Sequence, residues 1–118
     1  LEEKTKDYTD YGASFALDYG GRDEILRAVK KIVTSGVKEG DIDDEMIEAN
    51  LDTREIEPPD MIIRTSGEKR LSGFMPWQGV YAELFFVDEE YPAYTADLFA
   101  KTVEEFSERQ RRFGGDSQ

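Results

Sequence analysis

Two short apolar runs, Met61-Ile62-Ile63 and Ala82 to Val87, constrain the fold of this chain more than any other feature of its sequence. The first is too short for a helix and the second is aromatic and nearly continuous, so both read as buried strands. Strands that do not alternate apolar with polar residues are covered on both faces, which is the habit of parallel sheets. No hairpin dipeptide joins the two runs, and Pro58-Pro59 imposes an extended approach to the first. Between them lies Arg64-Thr-Ser-Gly-Glu-Lys-Arg70-Leu71-Ser72, at the point where the first strand ends. Small residues and a glycine allow a sharp bend there. Two guanidiniums, a hydroxyl and an expected helix start beyond the carboxyl end of a strand suit an anionic oxygen ligand.

The remaining chain alternates in the same way. Residues 1–11 are charged and aperiodic, and are read as the tail of a helix. Ala13 to Leu17 is expected to be a strand, closed by the turn Asp18-Tyr19-Gly20-Gly21. From Arg22 the period changes: Ile25, Leu26, Ala28, Val29, Ile32 and Val33 share one side of a helix that Ser35-Gly36 stops. Asp43-Asp44-Glu45 starts a short helix carrying Met46, Ile47 and Leu51. Ser72 is expected to cap a helix over Gly73 to Tyr81, with Pro76 tolerable only in its first turn. Thr95 caps a last helix in which Leu98, Phe99, Val103 and Phe106 face inward. Arg109, Arg111 and Arg112 then fall in its final turn, before Gly114-Gly115. The order β-α-(α)-β-α-β-α predicts an α/β fold with a mainly parallel sheet flanked by helices. Three strands are few beside the usual ~4–6, and the chain begins at Leu1 and not Met, so an incomplete N-terminal part is expected.

Composition narrows the chemistry. The 118 residues, one domain at most, carry 27 acidic and 15 basic side chains, a net charge of -12. Nucleic acid as the main partner is disfavoured, because phosphate backbones need basic surfaces. Without cysteine or histidine there is no thiolate or imidazole to act as nucleophile, base or soft-metal ligand. Carboxylates remain, and they favour a hard cation such as Mg²⁺. No apolar run approaches the ~20 residues of a transmembrane helix, and no signal peptide is visible, so a cytoplasmic location is expected.

Three motifs now resemble one family. Asp60 to Phe86 looks like the signature of the cis-prenyltransferases, the undecaprenyl diphosphate synthase family. Phe15-Ala-Leu-Asp-Tyr-Gly-Gly-Arg-Asp-Glu-Ile25 is similar to an earlier motif of that family, and Arg109-Gln-Arg-Arg-Phe-Gly-Gly115 to its C-terminal end. The Arg-Thr-Ser-Gly spelling resembles archaeal and eukaryotic members more than bacterial ones. The resemblance implies a transferase in isoprenoid biosynthesis. It would condense isopentenyl diphosphate in cis geometry onto an allylic diphosphate, giving a polyprenyl diphosphate with the help of Mg²⁺. Arg64, Arg70, Leu71 (through its backbone) and Ser72 match positions that hold the diphosphate of isopentenyl diphosphate. Glu83 matches an acidic position associated with Mg²⁺. Arg112 and Gly114 match a tail that reaches toward the partner's active site, implying a homodimer, membrane-peripheral only through its lipid product.

The family's Asp-Gly-Asn-Gly-Arg run, which supplies the main catalytic aspartate and the allylic site, has no match here. Residues 1–118 are therefore expected to be the C-terminal portion of one catalytic domain, inactive alone. Gly73 and Pro76 depart from the residues common at those positions.

Other readings stand beside these. Arg64 and Arg70 also suit ordinary surface ion pairs. Glu83 suits an ion pair with either of them as well as Mg²⁺. Trp77, Tyr81, Phe85 and Phe86 suit core packing better than a prenyl tunnel. A non-catalytic partner subunit of a heteromeric prenyltransferase, or a stand-alone anion-binding module, would retain parts of the same pattern.

Overall fold

The computed structural model of the chain describes residues 11–109 and 111–115, so the expected helix tail before Tyr11 lies outside the described residues. Met61–Arg64 (β1) and Glu83–Phe86 (β2) form a parallel pair in the register Met61↔Glu83 to Arg64↔Phe86. Helices Gly21–Thr34 (α1), Asp44–Ala49 (α2) and Ala96–Glu108 (α3) complete the α/β arrangement of a parallel sheet flanked by helices.

α1 follows from its sequence. Asp23 and Glu24 lie in its first turn and Lys31 in its last, matching the helix dipole. At its end the Ser35 hydroxyl donates to the Ile32 carbonyl (2.6 Å), and Gly36 takes a positive φ of 75°. α2 starts where Asp43 accepts a hydrogen bond from the Met46 N–H at 2.9 Å, and α3 where Thr95 accepts one from Leu98 at 3.3 Å. The buried apolar side chains among the described residues are Ala28, Ile32, Leu51, Ile62 and Phe85. They come from α1, the loop after α2, and the two strands.

Several expectations change. Ala13 to Leu17 is not a strand; Phe15 and Leu17 are exposed and the segment has no regular structure. An apolar run becomes a strand only when a neighbour pairs with its backbone, and no described strand does so. Gly73 to Tyr81 is a succession of turns and not a helix. Ser72, Gly73 and Met75 all have positive φ (51°, 80° and 49°), which no right-handed helix accepts, so Ser72 is not an N-cap. Pro76, lacking an N–H, reinforces the break. On α3, Leu98, Thr102 and Phe106 turn inward while Phe99 and Val103 are exposed, because the buried stripe follows the i, i+4, i+8 row. α3 ends at Glu108, so Arg109 is its C-cap and Arg111 and Arg112 lie beyond it. Gly114-Gly115 belongs to a separate turn closed by the Gly115 N–H on the Arg112 carbonyl.

The apolar side of α1 is also narrower than its pattern suggests. Leu26, Val29 and Val33 are exposed, and the buried row is Gly21, Glu24, Ala28 and Ile32. Glu24 occupies that row without disturbing it, for reasons found in its hydrogen bonds.

Candidate functional site

At the carboxyl end of β1 the chain turns through residues 65–72. Ser66 and Gly67 adopt left-handed backbone conformations (φ 68° and 67°), and their N–H groups donate to the carbonyls of Glu89 and Val87 at 2.8 and 2.9 Å. The bend is thus fastened to the segment leaving β2. A serine at positive φ is uncommon, and residues held so tend to gather where ligands bind.

Inside the bend Arg64 is the centre. Its Nη1 donates to the Arg70 carbonyl at 2.6 Å and to Ser72 Oγ at 3.0 Å. Arg64, Arg70 and Ser72, separated in sequence, are therefore brought together around one guanidinium. Arg70 directs its own guanidinium to Glu68, with Nη1 2.6 Å from Oε2 and both side chains largely exposed. Leu71 is half-buried, and its carbonyl accepts from the Phe74 N–H at 3.0 Å. Arg64 meets only neutral acceptors among the described residues, and the partner of Arg70 is an exposed carboxylate two residues away. Both cations are open to a stronger anion.

Glu83 sits elsewhere. It opens β2 beside Met61, so it lies at the amino end of the strand pair, three register steps from Arg64. Its Oε2 accepts from Arg109 Nη1 at 3.1 Å, and the same nitrogen donates to the Leu84 carbonyl at 3.0 Å. The ion pair left open in the sequence thus forms with Arg109, not with Arg64 or Arg70. Arg109 also lies 3.8 Å from the centre of the Phe85 ring. Among the described residues no three acidic side chains converge. A single carboxylate already held by an arginine does not fit Mg²⁺ by itself, since that ion requires several oxygen ligands.

The tail is similarly occupied. Arg111 Nη1 donates to Asp60 Oδ1 at 2.7 Å and Nη2 to the Tyr81 carbonyl at 3.3 Å, with the guanidinium 4.4 Å from the Phe113 ring centre. Arg112 is exposed, and Gly114 lies against the Tyr81 ring. A cavity of about 850 Å³ opens beside this tail and not at the arginine bend. Leu51, Ile56, Trp77, Gln78, Tyr81 and Arg111 are among its walls. Phe85 instead belongs to the core and Phe86 is half-buried, in keeping with the packing role expected for them.

A buried polar junction escaped the sequence reading. Glu24, 1% exposed, accepts from Tyr19 Oη (2.6 Å) and Gln78 Nε2 (2.9 Å) on one oxygen and from the Asp52 N–H (2.9 Å) on the other. Burial, followed by the neighbouring Glu24 carboxylate, pushes the Tyr19 hydroxyl up to about 12. One signal existed: Glu24 is in phase with Ala28 and Ile32, so a carboxylate stands on the row otherwise destined for the core.

Comparison with known proteins supplies the context. Residues 1–114 match the family described as "Putative undecaprenyl diphosphate synthase". The chain is 45% identical over 114 residues to an isoprenyl transferase of Aquifex aeolicus, covering 97% of this chain and 48% of that protein. It is equally 45% identical, over 120 residues, to a tritrans,polycis-undecaprenyl-diphosphate synthase (geranylgeranyl-diphosphate specific) of Methanocaldococcus jannaschii, covering 96% and 42%. The crystal structure of a probable undecaprenyl diphosphate synthase from Campylobacter jejuni superposes with a TM-score of 0.80 at 36% identity, over 96% of this chain and 52% of that one. A bacterial and an archaeal relative are thus equally similar, and the archaeal leaning of the Arg-Thr-Ser-Gly spelling is not borne out. The chain spans about half the length of the curated relatives it matches.

Proposed function

Because the chain belongs to the undecaprenyl diphosphate synthase family of prenyltransferases, we propose that it carries the isopentenyl diphosphate half of a cis-prenyl chain-elongation site. In that reaction an allylic diphosphate loses its diphosphate as the C–O bond breaks. The isopentenyl double bond attacks the resulting carbocation, and loss of a proton sets the new cis double bond. Arg64, Arg70 and Ser72, with the Leu71 backbone, hold the diphosphate of the nucleophile and so fix where its double bond lies. Arg64 supplies paired charge-assisted hydrogen bonds through Nε and Nη2, while Nη1 keeps its two neutral acceptors. Arg70 leaves Glu68 to take the second phosphate. The observation that carries this reading is the clasp of Arg64 by the Arg70 carbonyl and the Ser72 hydroxyl at the carboxyl end of β1.

Mg²⁺ belongs to the proposal as a substrate-borne ion, neutralising diphosphate charge. Glu83 would contact it only after parting from Arg109, and no step is assigned to that contact. Arg112 and Gly114 are proposed to approach the site of a second copy in a homodimer working in the cytoplasm. The 118 residues alone are proposed to bind isopentenyl diphosphate without turning it over.

The test has two parts. Isopentenyl diphosphate should bind the chain in a calorimetric titration, and Arg70→Ala should weaken that binding about tenfold, the loss of one charge-assisted contact. Incubation with labelled isopentenyl diphosphate and an allylic diphosphate should give no polyprenyl product from the chain alone. Unchanged affinity in Arg70→Ala removes that residue from the site, and product formed by the chain alone overturns the division of labour.

A further inference from the structure

The buried junction around Glu24 and the arginine bend are joined by the few residues of chain between Ser72 and Gln78. Segment 73–78 leaves Ser72 and runs directly over the first turn of α1. Four contacts fasten it there. The Gly21 N–H donates to the Gly73 carbonyl at 3.0 Å. The Tyr19 and Phe74 rings meet edge to face at 5.9 Å. Pro76 packs so closely on Gly21 that a Cβ at that position would stand 2.3 Å from its Cδ and 2.2 Å from the Gly73 oxygen. Gln78, itself 8% exposed, donates to Glu24 and to Thr53 Oγ1, both at 2.9 Å.

Glu24 differs from the other three contacts in being a carboxylate that no cation pairs with among the described residues. Its two oxygens are satisfied by neutral donors from three separate stretches of chain: Tyr19, the Asp52 backbone and Gln78. A buried carboxylate is retained in such a place only when its acceptors are all filled, and an incomplete set is costly. Removing one donor or turning one acceptor into a donor therefore displaces the segments it holds. Of the three segments it holds, 73–78 is the one that continues from Ser72; it has no helix and contains two residues at positive φ, Gly73 and Met75. A movement there is handed straight to Ser72 and, through Arg64 Nη1, to the bend.

We propose that Glu24 is a positioning residue for the diphosphate-binding bend, acting through Gln78 on the segment that follows Ser72. This inference rests on the reading of the bend given above. It predicts an effect confined to the isopentenyl diphosphate site, with no contact between Glu24 and the ligand.

Glu24→Gln keeps the shape but confronts Gln78 Nε2 or the Asp52 N–H with a second donor. Isopentenyl diphosphate titrated into this variant should bind about tenfold more weakly than to the parent chain, the change equivalent to one lost hydrogen bond. The double variant Glu24→Gln with Gln78→Glu restores a donor facing an acceptor and should recover most of the affinity. Thermal unfolding midpoints are measured for all three proteins, because a merely structural role lowers the midpoint without the paired loss and recovery of affinity. Parent affinity in Glu24→Gln, or no recovery in the double variant when its midpoint has returned, overturns the proposal. Arg70→Ala serves as the control: if it too binds like the parent, the diphosphate reading of the bend fails, whereas weakened binding in Arg70→Ala alone rejects only the role of Glu24.

Discussion

The two ends of the β1–β2 pair both present arginines, yet they treat them in opposite ways. At the amino end each guanidinium is matched to a carboxylate: Arg109 to Glu83 at 3.1 Å and Arg111 to Asp60 at 2.7 Å. Both also lie on aromatic rings and donate to backbone carbonyls of the β2 region. At the carboxyl end Arg64 meets a carbonyl and a hydroxyl, and Arg70 meets an exposed glutamate two residues away. The charge of one pair is already spent on the fold, and the charge of the other is held in reserve. In a chain of net charge -12, with 27 acidic and 15 basic side chains, an arginine kept on neutral acceptors is a choice of location.

The difference is sharpest at Arg64. Arg64→Ala should weaken pyrophosphate binding to the chain about a hundredfold, since a bidentate charged donor and the internal clasp of the bend vanish together. Calorimetry reads the loss, and a change below threefold would make the two ends equivalent. Arg111→Ala should do the reverse. It removes an ion pair, a backbone hydrogen bond and aromatic packing, so chemical denaturation should show about 1–2 kcal/mol less stability. Pyrophosphate affinity should stay at the parent value. Glu68→Gln probes the weaker half of the bend: releasing Arg70 should tighten binding about twofold at low salt and have no effect at high salt, where an exposed pair is screened. An effect that persists in salt would place Glu68 closer to the ligand than its exposure indicates.

The smallest expected effect concerns an ion pair that belongs to neither end. Arg27 donates to both oxygens of Asp52, at 2.8 and 2.7 Å, and these bonds hold the Asp52 carboxyl below its usual value. A depressed carboxylate contributes stability that is present above its unfolded pKa of about 3.9 and is lost as pH falls through the lower folded value. Both partners are well exposed, so the contribution is slight. Unfolding midpoints of Asp52→Asn and the parent should differ by a small amount at neutral pH and converge in acid. A gap that widens in acid would reverse the sign of the coupling.

What the sequence disclosed about this molecule depended on how local the cause was. Helix caps and stops are decided within a few residues, and Asp43, Thr95 and Ser35-Gly36 stand where composition put them. The parallel pairing of Met61–Arg64 with Glu83–Phe86 followed from two apolar runs without a hairpin between them. The Ala13 to Leu17 run is also mostly apolar but has no partner among the described strands, and it is irregular and exposed. Strand formation is a property of pairs, and a single sequence supplies only candidates. The approach of Arg64 to Ser72 was foreseeable from the end of a strand and a glycine bend. The expected meeting of two guanidiniums is not what forms, since Arg64 reaches the Arg70 carbonyl while the Arg70 guanidinium turns to Glu68. Nor was Arg109 foreseeable as the partner of Glu83, because that ion pair joins residues 26 apart through the tertiary fold. The helix expected after Ser72 failed for a local reason that propensity alone understates: Pro76 and consecutive positive-φ residues leave no room for a first turn.

The connection from β1 to β2 therefore contains no helix at all, only turns. A link of that kind gains nothing until its two ends lie side by side, so ordering it is opposed by entropy up to the moment the ladder zips. The bend and the ladder are therefore expected to form together during refolding, and a diphosphate ligand is expected to act on folding by holding the finished structure in place.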